Sequence, residues 1–182
     1  MLRLLSTALA LALFAAPAPG ALPTRTLSVA VAASAKPAMD ELGKAFEAAR
    51  PGVHVAIAAG ASGAFFAQIR NGAPFDLFFS ADRDYPRAVV AAGLGGPEVV
   101  YAVGKLVVWT PPGSPIDLAG HDQGLRALAG PGVKRIAVAN PATAPYGRAA
   151  IAALEAEGIL AAVKDRLAFG ESVAQAARFA AT

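Results

Sequence analysis

Four short runs of small and hydroxylated residues stand out as places where this sequence gathers groups suited to holding a ligand. They are Ala33-Ser34-Ala35, Ala61-Ser62-Gly63, Ala144-Pro145-Tyr146-Gly147 and Glu171-Ser172-Val173. Each falls where a predicted helix opens after a strand or turn. A helix N-terminus presents unpaired backbone N–H groups and about half a positive charge. Several such ends aimed into one cleft can hold an anion without any Lys or Arg, and serine hydroxyls add neutral donors. Serine is equally a favoured helix cap, so capping and anion binding are both open for each one.

Other chemistry finds little support. His54 lies in a strand pattern and His121 in a polar loop, and neither has a second ligand at metal-binding spacing. The run Gly60-Ala61-Ser62-Gly63 misses the G-x-S-x-G nucleophile elbow by one position. Gly104-Lys105 is followed by Leu106 and lacks the upstream glycine of a phosphate loop. Asp82 and Asp84 read as turn and cap residues rather than an acid–base pair. The absence of cysteine excludes a thiol nucleophile, a zinc–thiolate site and a disulfide scaffold. The expectation is a protein that is not an enzyme and has no cofactor.

Strands alternating with helices must position those runs. Leu27-Ser28-Val29-Ala30-Val31 reads as a buried strand, followed by a helix with Pro37 in its first turn and an apolar stripe of Met39, Leu42 and Phe46. A strand over 53–58 and a helix over 64–70 come next. Asp76-Leu77-Phe78-Phe79-Ser80 reads as a strand covered on both faces, and a helix follows over 86–92. The stretch 99–110 is β-rich and crosses from one lobe to another, interrupted at Gly104-Lys105. Beyond it come a short helix over 125–128, a strand over 133–139, a helix from Tyr146-Gly147 to about Glu157, further helix over 161–166, a strand at Leu167-Ala168-Phe169, and a helix opened by Ser172. Alternation of this kind predicts an α/β architecture with mostly parallel sheets and flanking helices.

Composition narrows the class further. Of 182 residues, 55% are hydrophobic and only 16% charged, which excludes a disordered chain. The formal charge of +3 comes without a Lys or Arg cluster, so no nucleic-acid partner is expected. Met1-Leu2-Arg3, the apolar run over 4–16 and the small residues over 17–21 form the three parts of a secretory signal peptide, with cleavage after Gly20 or Ala21. The run is shorter than the roughly 20 residues a membrane span requires. Removal takes away Arg3 and leaves a net charge of +2. Val173, Ala176, Ala177 and Ala180 keep helical spacing up to Thr182 with no terminating glycine, which reads as a chain cut short or as a frayed terminus.

The ordered set of motifs resembles a family. Ala32-Ala33-Ser34, Ala61-Ser62-Gly63 with Gln68-Ile69 and Gly72-Ala73-Pro74, and Asp76-Leu77-Phe78-Phe79-Ser80-Ala81-Asp82 are similar to the periplasmic molybdate-binding proteins of ABC importers. Asn140-Pro141, Ala144-Pro145-Tyr146-Gly147-Arg148-Ala149-Ala150 and Gly170-Glu171-Ser172-Val173-Ala174-Gln175-Ala176-Ala177 extend the likeness to the end of the chain.

That resemblance implies a two-lobed class II binding protein. Lobe I would cover 22–103 and a partial lobe II 104–182, the segment returning to lobe I being missing. The lobes would close on molybdate or tungstate about a hinge near Val103-Gly104. It implies that Ser34 and Ser62 bind the oxyanion through hydroxyl and backbone N–H, and that the N–H groups of Tyr146 and Val173 bind from the second lobe. The family's usual tyrosine ligand on a later loop has no counterpart within 182 residues. The implied setting is periplasmic, with a membrane permease as partner and a monomeric receptor. Sulfate, phosphate, thiosulfate or ferric iron receptors of the same fold are alternatives. Ferric iron calls for Tyr, His or carboxylate ligands, and there are three Tyr. A secreted hydrolase using Ser62 is a further alternative and needs a base beside that serine.

Overall fold

The computed structural model describes residues 25–116, 118 and 124–181; the expected leader at 1–21 and His121 lie outside the described residues. β1 (Arg25–Ala32) is the centre of a three-stranded parallel sheet, flanked by β2 (Val53–Gly60) and β3 (Leu77–Phe79). Its register runs from Arg25↔Val53 to Ala32↔Gly60 on one side and from Val29↔Leu77 to Val31↔Phe79 on the other. Val29, Ala30, Val31 and Ala32 are all buried, as befits a central strand covered on both faces. Asp76 fastens β3 to β1, its carboxylate accepting from Ser28 N–H at 2.8 Å and its own N–H donating to the Ser28 carbonyl at 2.9 Å.

A 3-10 turn over Ala33–Ala35 leads from β1 into α1 (Lys36–Ala49), where Pro37 occupies the first turn without loss because that N–H has no intrahelical acceptor. The expected stripe of Met39, Leu42 and Phe46 is only partly right. Met39 packs with Val29 and Val31, but Leu42 and Phe46 are exposed. Gly43 takes the sheet-facing seat instead, so close to β2 that a Cβ there would meet Ile57 Cδ1 at 3.3 Å. α2 (Ser62–Arg70) and α3 (Asp84–Ala91) complete this half of the molecule.

The second half has its own sheet, β4 (Ile136–Ala139) parallel to β5 (Leu167–Gly170), in register from Ile136↔Leu167 to Ala139↔Gly170. α4 (Pro145–Ala156), α5 (Leu160–Val163) and α6 (Val173–Ala181) flank it, with 3-10 turns over Gly124–Ala129 and Lys164–Arg166. Val133, Ile136, Val138, Leu154, Ile159 and Val163 form its core, separate from that of the first sheet. The α/β class with parallel sheets and flanking helices therefore stands. Among the described residues no helix is long and apolar enough to cross a membrane.

Two expectations about strands are corrected. The 76–80 strand contracts to three residues at a sheet edge, with Leu77 exposed rather than covered. The β-rich stretch 99–110 forms no strand, and Val99 and Val103 are 82% and 86% exposed. β-branched residues favour a pleated, half-buried surface rather than an isolated extended chain, and no strand among the described residues lies alongside this stretch to pair with it. It is tethered instead at Tyr101, whose hydroxyl donates to the Ser80 carbonyl at 2.9 Å and whose ring meets Phe79 edge-on. Burial pushes the Tyr101 hydroxyl's pKa above its usual value, and Tyr146 adds to this.

Arg166 holds the second half together at one point. Its Nη1 donates to the Gly130 and Val133 carbonyls at 2.9 and 2.8 Å, and its Nη2 to the Ala129 and Ala162 carbonyls at 3.3 and 3.0 Å. Bonds from a charged donor are the stronger ones. Arg166→Ala should therefore lower unfolding stability by about 2 kcal/mol in a urea titration. Arg166→Lys should recover only part of this, because an ammonium cannot fork to four acceptors.

Candidate functional site

The helix openings singled out in the sequence converge. α6 packs on β4, on β5 and on the 33–35 turn of the first half. Ala61, Ala139 and Ala144 form a buried cluster with Val173 packed against it. Gly63 N–H donates to the Thr143 carbonyl at 2.8 Å, joining the start of α2 to the turn before α4. Small residues make this approach possible. A Cβ at Gly147 would lie 2.2 Å from the Ala139 carbonyl oxygen, and one at Gly170 would lie 2.6 Å from Ala176 N. The Asn140 side chain shapes the turn between β4 and α4 by accepting from Ala142 N–H at 2.9 Å.

Each expected site residue has a definite place. Ser34 sits in the 33–35 turn with its side chain exposed, on the wall of a groove of about 1060 Å³ that Tyr146 also lines. Ser62 is the first residue of α2 and is 0% exposed. Tyr146 and Val173 are half-buried in the first turns of α4 and α6, where their N–H groups have no intrahelical acceptor. In α2, Gly63 and Ala64 direct their N–H groups to Thr143 and Ala61, which leaves Ser62 N–H without an acceptor among the described residues.

The structure separates the serines that cap from those that do not. Ser172 Oγ accepts from Gln175 N–H at 3.4 Å, a capping bond across the first turn of α6. No side-chain cap is made at the 33–35 turn, α1 or α2. Ser62 Oγ accepts instead from Ala81 N–H at 3.0 Å, and Ser34 Oγ makes no hydrogen bond among the described residues. An oxygen that already accepts leaves its own O–H free to donate elsewhere. Ser34 and Ser62 thus carry hydroxyl donors that helix capping does not consume.

Sequence reasoning missed a charged group at the same place. Arg148, in α4, donates from Nη1 to the Tyr85 hydroxyl at 3.0 Å, pairs through Nη2 with the Asp82 carboxylate, and lies 5.1 Å over the Tyr85 ring. Asp82 does act in a turn, as expected, accepting from Ser80 Oγ at 3.0 Å and from Tyr85 N–H at 3.3 Å. Its pairing with a residue of the second half was not legible. The one signal was the place of Arg148 directly after Tyr146-Gly147 in a motif already singled out.

The remaining candidates lie elsewhere. His54 Nδ1 is 2.9 Å from Glu47 Oε1, which also accepts from Val55 N–H at 2.7 Å. The Val55 bond, with help from His54, holds the Glu47 carboxyl below the usual carboxylate range. Gly104 packs on the Tyr146 hydroxyl, 2.0 Å from where its Cβ would be, and marks a crossing of the chain rather than a phosphate cradle. Among the described residues no three His, Asp or Glu side chains gather as a metal site.

Comparison with known proteins places these features in a family. Residues 27–182 match the family described as bacterial extracellular solute-binding protein. The chain is 40% identical to a molybdate-binding protein (ModA) of Azotobacter vinelandii over 158 residues, 86% of this chain and 60% of that protein. It is 39% identical to the molybdate-binding protein of Rhodobacter capsulatus over 155 residues, 84% of this chain and 59% of that one. The solved structure of the Azotobacter vinelandii periplasmic molybdate-binding protein is similar with a TM-score of 0.74 and 38% identity, covering 85% of this chain and 66% of that one. The chain thus spans about 60% of the length of these curated relatives.

Proposed function

This chain belongs to the bacterial extracellular solute-binding protein family, and from that premise we propose that it captures molybdate or tungstate as the periplasmic receptor of an ABC importer. The observation that carries the reading is the convergence of helix starts around two serines whose hydroxyls cap nothing, one of them wholly enclosed. The molybdate-binding relatives and the similar solved structure support the choice of ligand.

In this reading Ser34 and Ser62 donate through hydroxyl and backbone N–H, and Tyr146 and Val173 donate through backbone N–H. A buried dianion with no cation at its oxygens must be saturated by hydrogen bonds, because an unpaired buried charge is very costly. Neutral donors also select the fully deprotonated anion, since a protonated oxyanion finds no acceptor among them. Molybdate is distinguished from sulfate by cavity size alone. The lobes divide near Val103-Gly104, where Gly104 rests on Tyr146, and closure about that hinge presents a form the permease recognises. The receptor works as a monomer, without a cofactor, and catalyses nothing.

A thermal-shift screen of oxyanions at matched ionic strength tests this. Molybdate and tungstate are expected to raise Tm while sulfate, phosphate and thiosulfate leave it unchanged. Stabilisation by sulfate at equal concentration would transfer the reading to a receptor for a smaller oxyanion. Ester hydrolysis that is lost in Ser62→Ala would replace it with an enzyme.

A further inference from the structure

The bond between Arg148 and Asp82 joins residues 66 positions apart and spans the two halves of the molecule. It is not an ordinary surface pair. The Asp82 side chain is only 17% exposed and that of Arg148 39%. The guanidinium is fixed three times, by the carboxylate, by the Tyr85 hydroxyl and by the face of the Tyr85 ring. Asp82 is itself held by Ser80 Oγ and by Tyr85 N–H. A planar cation with several of its donors engaged in one geometry gives up less side-chain freedom per bond than an exposed lysine pair does.

What Asp82 adjoins gives the pair its meaning. The preceding residue, Ala81, donates its N–H to Ser62 Oγ at 3.0 Å. A hydroxyl oxygen that accepts from a fixed direction has its own hydrogen confined to the remaining directions. The three-residue loop Ser80-Ala81-Asp82 therefore receives the second half at one end and orients the Ser62 hydroxyl one residue away. Ser62 is also 0% exposed, so a ligand reaches it only after the structure around it opens.

We propose that Arg148 is a positioning residue of the oxyanion site: it clasps Asp82 and Tyr85 across the cleft, holds the halves closed before ligand arrives, and through Ala81 fixes the Ser62 hydroxyl in its donating orientation. The proposal rests on the binding-cleft reading above. It differs from that reading in giving a role to a cation that touches no ligand. The charge of Arg148 is spent on Asp82, so the grip needs no anion and closure has an intrinsic component. The same grip slows ligand escape, because leaving the site requires the clasp to open.

The chain has no cysteine, so two can be introduced cleanly for spin labels, at exposed Lys44 in α1 and exposed Glu155 in α4. Interlabel distances are measured first with no oxyanion present. The clasped chain is expected to show one narrow distance. Arg148→Ala and Asp82→Asn are each expected to lengthen and broaden it, and Arg148→Lys to fall between. Gly63→Ala supplies the opened reference, since its methyl would crowd the Tyr85 hydroxyl that Arg148 holds and meet the backbone carbonyl oxygen of Thr143 in the second half at 2.8 Å. Distances in Arg148→Ala and Asp82→Asn equal to the parent's, beside a longer one in Gly63→Ala, would overturn the clasp. Molybdate dissociation is then followed by stopped flow, with an expected acceleration of about tenfold in Arg148→Ala and recovery of part of this in Arg148→Lys. Equal dissociation rates in parent and Arg148→Ala would overturn the link to the site. A chain that takes up no molybdate at all would sink the proposed function while leaving the ligand-free distances to judge the clasp.

Discussion

Gly147→Ala is expected to be the most damaging Gly→Ala substitution among the described residues. The new Cβ would stand 2.2 Å from the Ala139 carbonyl oxygen and 2.8 Å from Pro141 N, both backbone atoms that no rotamer change can move aside. α4 would have to lift from the end of β4. In doing so it would disturb the buried cluster of Ala61, Ala139 and Ala144 and the bond from Gly63 N–H to Thr143. Overpacking of this kind costs about 3 kcal/mol or more, which for a chain of this size lowers Tm by roughly 10 °C. Gly132→Ala is the control, because nothing lies within 4 Å of its added Cβ. Unfolding followed by circular dichroism should show the large loss in the first variant and almost none in the second. A Gly147→Ala chain as stable as Gly132→Ala would mean that α4 does not rest on β4 as described.

The second large effect concerns affinity. Ser62→Ala and Ser34→Ala each remove one hydroxyl donor from the proposed anion, and a hydrogen bond to a charged group contributes about 1.5–3 kcal/mol. Each should weaken molybdate binding at least tenfold by titration calorimetry while the chain stays folded. Stability distinguishes the two. Ser62→Ala also removes the acceptor of Ala81 N–H, so it should lower unfolding stability by about 1 kcal/mol. Ser34 Oγ has no partner among the described residues, so Ser34→Ala should leave stability unchanged. Unaltered molybdate affinity in both variants would sink the site assignment.

Much of the local structure was legible because it is set locally. Pro37 and Pro145 occupy the first turns of α1 and α4, and β1 announced itself as an apolar run buried on both faces. Features that depend on a distant partner were not. The 99–110 stretch has strand composition, yet a strand exists only where another lies alongside it. Leu42 and Phe46 fit a helical stripe, but which side of α1 approaches β2 was decided by Gly43, the residue with no side chain. At the site, residue types pointed to a convergence of helix starts, and the structure brings those starts together. They could not separate Ser172, which caps, from Ser34 and Ser62, which do not, because that depends on where Gln175 N–H and Ala81 N–H come to lie. The pairing of Arg148 with Asp82 is the same kind of fact: neither residue's neighbours in the chain point to the other.

Among the described residues every strand pairing is parallel and joins distant parts of the chain. Arg25 meets Val53, 28 positions away, Ile136 meets Leu167, and Val29 meets Leu77. The described residues hold no hairpin to close first, so the entropy of forming a long loop must be lost before a ladder bond among them is gained. Refolding from denaturant should accordingly be slow, on the order of milliseconds to seconds. During that interval the apolar 99–110 stretch is open to other chains, and yield on refolding should fall as protein concentration rises.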